Sequence, residues 1–164
     1  MSTPQQSFSI RAANEADAEN IVALINDAFR SAESFFIDGD RITLKEVLEH
    51  LQAGEFLLAE DNNRLIACVY LEPRGERTYL GLLSVDPTLQ KGGIGSLLMT
   101  AAEDRSRERN AKYIDILTVS LREELPAFYG KRGYVKTGTS PFPSEVRTKL
   151  PVHFVHMTKR IASE

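Results

Sequence analysis

Cysteine is nearly absent from this 164-residue chain: Cys68 stands alone, inside an apolar stretch. An intrachain disulfide is excluded, and a single unpaired thiol fits a reducing interior. Neither flank of Cys68 is charged, so it reads as a core residue rather than a nucleophile. Long hydrophobic runs are also missing. No stretch approaches the ~18 apolar residues that a membrane-crossing helix needs. Residues 1–7 (MSTPQQS) lack the basic and apolar regions of a secretory signal, so they read as a flexible arm, with a cytoplasmic location expected. There is no excess of positive charge: 20 Lys+Arg against 23 Asp+Glu give a net charge of -3. That argues against non-specific nucleic-acid binding, which needs a dense basic face. Internal repeats, low-complexity tracts and long linkers are absent too. A chain of this length with 42% hydrophobic residues reads as one domain, 1–164.

What is present is concentrated between Leu83 and Leu98. An apolar strand enters a turn at Asp86-Pro87, a glycine-dense loop follows, and the loop opens into a helix. Ile94, Leu97, Leu98, Ala101 and Ala102 recur at helical spacing. Gly92, Gly93 and Gly95 remove Cβ atoms from the start of that helix, whose unpaired N–H groups and partial positive charge suit a phosphate or pyrophosphate. The loop lacks the Lys-Ser/Thr pair of a P-loop, and Leu98 stands where G-x-G-x-x-G needs its third glycine. A generic nucleotide-binding domain is thereby disfavoured. The pattern that stands here is Gln90-x-x-Gly93-x-Gly95, and it resembles the pyrophosphate loop of the GNAT N-acetyltransferase superfamily.

The surrounding elements extend the resemblance over about residues 8–160. Phe8 to Arg11 reads as a strand, and Asn14 caps a helix with an apolar face of Ile21, Leu24, Ile25, Ala28 and Phe29. Thr43 and Glu46 form a capping box that opens a second helix burying Leu44, Val47, Leu48 and Leu51. Strands follow at 55–60, 65–71 and 78–85, the first two joined by the tight-turn sequence Asp61-Asn62-Asn63. After the glycine loop and its helix, to about Asn110, 113–119 reads as a strand apolar enough to be buried on both faces. A short helix at 125–131 and strands at 134–137 and 152–158 complete the order. The resemblance implies an α/β (α+β) GNAT fold, with a mixed sheet of about seven strands and about four helices. It implies acetyl-CoA as cosubstrate, no metal, and an amine-bearing acceptor, either small molecule or peptide.

A second segment, Leu121 to Tyr134, is similar to the family's other recurrent motif, Phe-Tyr, three residues, then Gly-Phe/Tyr. By that similarity Tyr129 sits beside the CoA sulfur, while Phe128 is assigned to the core. Leu83, Ser84 and Val85 would pair their backbone with the pantetheine arm as an added strand does. Gln90, Lys91, Gly92, Gly93, Gly95 and Ser96 would surround the pyrophosphate. Amide formation needs two proton movements. An amine of pKa ~10.4 must lose a proton, at a cost of roughly 4–5 kcal/mol at neutral pH, and a thiolate of conjugate pKa ~8.5 must gain one. Tyr129 has the chemistry for the second.

Two departures from the family stand out. Arg122 occupies the place seven residues before the tyrosine where many members carry a cofactor-contacting Asn, and 79–85 contains no carboxylate base. Glu72 and Glu124 are the candidates for that base. Without a working base the chain reads instead as a non-catalytic acyl-CoA-binding or regulatory module. Acceptor recognition is expected in 29–40 and 138–150, where Phe35, Phe36 and Phe142 offer apolar walls and Glu33, Asp38 and Asp40 offer charge for an ammonium group. His153 and His156, three apart on a strand, point to opposite faces and form no metal site. Arg105, Arg107 and Arg109 read as a solvated helix end.

Overall fold

The computed structural model describes residues 8–89 and 92–162, so the expectation of a flexible arm at 1–7 lies outside the described residues. The elements are β1 (Ser9–Ala12), α1 (Ala18–Glu33), α2 (Leu44–Ala53), β2 (Glu55–Asp61), β3 (Arg64–Arg74), β4 (Arg77–Val85), α3 (Ile94–Glu108), β5 (Tyr113–Val119), α4 (Glu124–Gly130), β6 (Val135–Pro141) and β7 (His153–Arg160). Seven strands form one sheet in the order β1-β2-β3-β4-β5-β7-β6. All neighbours are antiparallel except β4 and β5, which run parallel.

Local chemistry explains most boundaries. Asn14 accepts the Ala16 N–H and shares a capping box with Asp17, which turns the chain into a short 3₁₀ segment before α1. Thr43 and Glu46 make the expected capping box at α2. Asn62 and Asn63 both take positive φ, the condition for a two-residue hairpin turn between β2 and β3. One apolar cluster lies between the sheet and α3, with Leu98, Met99 and Ala102 against Leu80, Ile114 and Ile116. The other lies under α1 and α2, with Ile21, Ile25 and Val47 against Phe56, Leu58 and Tyr70.

Several expectations need correction. Leu44 is 41% exposed, and Leu48 and Leu51 are half-buried at the margin of the cluster, so Val47 is the one fully buried residue of α2. β5 alternates buried and half-buried positions rather than being buried on both faces. β6 runs on to Pro141, which shortens the following loop to 142–152. The arginines at the end of α3 are not simply solvated. Arg105 and Arg109 both pair with Glu55 at the start of β2, and Arg107 donates to the Ile161 carbonyl.

Sequence reading missed Glu103, a carboxylate buried in α3. It accepts from the Tyr134 hydroxyl at 3.0 Å, from Lys159 Nζ at 3.2 Å and from Arg132 Nη2 at 3.3 Å. One residue thus ties α3 to the chain leaving α4 and to β7. Breaking a buried ion pair costs about 3–5 kcal/mol. Arg132 and Lys159 keep about a fifth of their side-chain surface in water, which moves the expectation to the lower end. Glu103→Leu is expected to destabilise the fold by about 3 kcal/mol in equilibrium denaturant unfolding. A change under about 1 kcal/mol would show that solvent already carries those charges.

Candidate active site

The candidate site begins where β4 and β5 stop pairing. Their parallel register runs from Arg77 and Tyr113 to Leu80 and Ile116 and ends there. β4 continues to Val85 and β5 to Val119, so their C-terminal segments diverge with no ladder between them. The cause is visible in β4. Tyr70 opposes Gly81 and Cys68 opposes Ser84, so Leu82 and Leu83 together face Val69: a β-bulge, with Leu82 at φ +56°. The bulge bends β4 away from β5 and leaves it paired on its β3 side. The other edge, from Leu83 through Ser84 to Val85, borders the opening. Ser84 is buried and donates its hydroxyl to the Leu82 carbonyl, closing the bulge at 3.0 Å.

Beyond Val85, Asp86 organises the turn. Its Oδ1 accepts from the Thr88 N–H at 2.9 Å and from the Thr88 hydroxyl at 2.7 Å, and Arg64 pairs with its other oxygen at 2.7 Å. The Thr88 bonds first, then Arg64, hold this carboxyl below its usual range. A 3₁₀ turn spans Pro87–Leu89, and the Gly92 N–H bonds the Leu89 carbonyl at 3.1 Å. Gly92 therefore shapes the loop but has no backbone donor left for a ligand. Gly93 takes φ +76° as the residue capping α3 and has no side chain with which to cap it. Among the described residues, the first-turn N–H groups of Ile94, Gly95 and Ser96 have no side-chain partner, as is usual at a helix start. Gln90 and Lys91, which the resemblance assigns to the same anion, lie outside the described residues.

α4 closes on this loop. A Cβ at Gly95 would meet the Phe128 ring edge at 3.7 Å and Val85 at 3.8 Å, so the end of β4, the first turn of α3 and α4 converge there. Phe128 is therefore half-buried at the junction, not deep in the core. Tyr129 packs edge-on between Phe128 and Tyr134, with centroids 5.1 and 5.8 Å away. It is 5% exposed, and among the described residues its hydroxyl makes no hydrogen bond. Burial pushes its pKa up to about 12, with Arg122 pulling it back and Tyr79 adding to the rise.

The candidate bases fare differently. Glu72 accepts from Tyr70 at 2.8 Å and from Arg74 at 2.7 Å. Burial alone would raise its pKa, but those bonds outweigh it and hold the group below the ordinary range. In Glu124 the bond from Arg122 likewise overcomes burial. Both are poor proton acceptors. Glu33, singled out in the sequence only as a charge, is 7% exposed and bonded by Arg122 at 3.0 Å. Burial raises its pKa, opposed first by Arg122.

The two loops expected to recognise an acceptor are joined to each other. The Lys149 N–H bonds the Phe36 carbonyl at 2.7 Å, and its Nζ reaches the Ser34 carbonyl at 3.1 Å and Asp38 at 3.0 Å. Buried Asn26 anchors the far side of the first loop through the Arg41 and Ile42 backbone. The phenylalanines divide: Phe36 is fully buried, Phe35 is 52% exposed, and Phe142 packs at a tilt against Phe154. Asp40 pairs with Arg30. His156 bonds Ser140 and His153 is exposed, so the two histidines do not converge. Cys68 is buried as expected, its thiol pushed up to about 12 by burial.

Residues 19–134 match the model of the Acetyltransferase (GNAT) family. YhfO of Bacillus subtilis (strain 168), an uncharacterised N-acetyltransferase, is 30% identical over 136 residues, covering 77% of this chain and 89% of YhfO. YxbD of the same organism is 36% identical over 83 residues, 49% of each protein, so the match spans about half its length. Among solved structures, YncA from Salmonella typhimurium with its cofactor acetyl-CoA shares the fold at TM-score 0.74 and 17% identity, covering 96% of this chain and 95% of that one. The matched residues include the parted strands β4 and β5, the glycines that open α3, and Tyr129. The chain belongs to the GNAT family.

Proposed function

We propose that this enzyme transfers the acetyl group of acetyl-CoA to a primary amine of a small molecule or peptide, by direct attack and without a covalent enzyme intermediate. The observation that carries the reading is the convergence around Gly95 of the parted end of β4, the start of α3 and Phe128, the ring against which the buried Tyr129 packs. The free edge of Leu83, Ser84 and Val85 suits the amide groups of a pantetheine arm, which would add as a strand. Gly93, Gly95 and Ser96 at the helix start suit the pyrophosphate. Gln90 and Lys91 are assigned to it by resemblance. When bound, acetyl-CoA supplies an activated thioester carbonyl. Tyr129 then stands as the acid that protonates the leaving sulfur.

The test is acetyl-CoA-dependent thiol release against pooled amines, polyamines, amino acids and peptides. Release that requires a particular pool is the expected result. Acetyl-CoA binding with no release over the whole panel would favour the non-catalytic binding module instead.

A further inference from the structure

Glu33 closes α1, a helix packed on β3 and β4, whereas Arg122 follows the end of β5 at Val119. Their bond at 3.0 Å therefore reaches from the β4 side to the β5 side, in the region where the two strands have parted. The pair is sheltered, with 18% and 9% of the side chains exposed for Arg122 and Glu33. Arg122 is shared further. Its Nε donates to Glu124 at 2.5 Å, and its charge acts on the Tyr129 hydroxyl. Arg122 bonds only Oε2 of Glu33; among the described residues, Oε1 accepts no hydrogen bond. A plain structural tie would not require a carboxylate oxygen left without a donor among the described residues, in a pair whose arginine also acts on Tyr129.

We propose that Glu33 is the base of the acetyl transfer: its free oxygen receives the acceptor's ammonium group and takes its proton. This rests on the transferase reading above. The released lone pair attacks the thioester carbonyl carbon, forming the C–N bond. The C–S bond breaks, and the sulfur takes a proton from Tyr129, which regains one from the reacting nitrogen. One net proton remains on Glu33 and passes to solvent, and no group is oxidised or reduced. Arg122 is the positioning residue that holds the carboxylate at the opening. The charged groups acting on Glu33 are Arg122 and Glu124 from the segment after β5, and Arg41 from the connection between α1 and α2. Burial, working against the two arginines, makes Glu33 a stronger base than a surface carboxylate.

The experiment compares Glu33→Gln with wild type on two acceptors. One is a strongly basic alkylamine from the productive pool, and the other is a weakly basic aromatic amine or hydrazide already unprotonated at neutral pH. Acetyl-CoA affinity and thermal unfolding are measured alongside. The expected result is a kcat/KM loss at least tenfold larger with the alkylamine than with the weakly basic acceptor, at unchanged acetyl-CoA affinity. Equal losses on both, or none, would overturn the assignment. Should Glu33→Gln not fold, the wild-type pH profile decides. An acid limb in kcat that appears with the alkylamine and not with the weak base supports the proposal; one shared by both, or absent from both, refutes it. A wild-type protein that binds acetyl-CoA but transfers to nothing would instead overturn the transferase reading itself.

Discussion

Tyr129→Phe is expected to lower acetyl-transfer turnover by at least tenfold, and by as much as the ~10²–10⁴-fold that a positioned acid supplies. Acetyl-CoA affinity and fold stability should hardly change. The hydroxyl is bonded to nothing among the described residues, so its removal leaves no donor or acceptor stranded. Burial has raised this phenol to about 12, which at first makes it a reluctant donor to a thiolate of conjugate pKa ~8.5. The sulfur, however, departs into the same water-poor site, where desolvation raises its own pKa and narrows the gap. The elevated value has a second consequence. An acid whose pKa is raised stays in its proton-bearing form as pH rises, so Tyr129 should impose no alkaline limb on kcat below about pH 10. Steady-state turnover that survives the substitution would remove Tyr129 from the reaction. An alkaline limb near pH 10 that vanishes in the variant would show the hydroxyl to be far less desolvated than its surroundings imply.

Gly93→Val should weaken acetyl-CoA binding by at least tenfold, measured by titration calorimetry on protein confirmed to be folded. Crowding is not the reason, since a Cβ at this position meets nothing within 4 Å. The backbone is: φ is +76°, where a β-branched residue is a severe outlier and an ordinary side chain costs about 1–2 kcal/mol. Relief of that strain reorients the peptide planes that open α3, and with them the N–H groups proposed to meet the pyrophosphate. Gly95 differs, because a Cβ there makes only ordinary contacts with Phe128 and Val85. Gly95→Ala should therefore be the milder change. Equal affinity in wild type and Gly93→Val would mean that the loop conformation does not govern binding.

Much of this architecture was legible because its signals are local. The cap at Asn14, the capping box at Thr43, the paired asparagines of the β2–β3 turn and the helical spacing after Gly93 each act within a few residues. What stayed hidden depends on groups distant in the chain. Glu103 meets Tyr134 and Lys159 across 31 and 56 residues, and Arg122 meets Glu33 across 89. Nothing in a charged residue's neighbours along the chain tells whether it will be buried against such a partner. The parting of β4 from β5 was equally invisible, because the bulge at Leu82 places a non-glycine residue at positive φ with no turn-forming residue to mark it. Glu72 and Glu124 looked like bases from their positions, and only their short bonds to arginines show why they are weak ones. The one available clue to Arg122 was its replacement of an expected Asn.

The bonds that Lys149 makes to Ser34, Phe36 and Asp38 bear on how acceptor preference changes among related proteins. Segments 34–40 and 142–152, far apart in the gene, are bonded into one unit, and acceptor recognition is expected of both together. A graft of either segment alone from a relative would carry one half of a lock without its matching half. Exchanges that alter preference while preserving the fold should therefore come as paired transplants, and single-loop chimeras should lose the acceptor before they gain a new one.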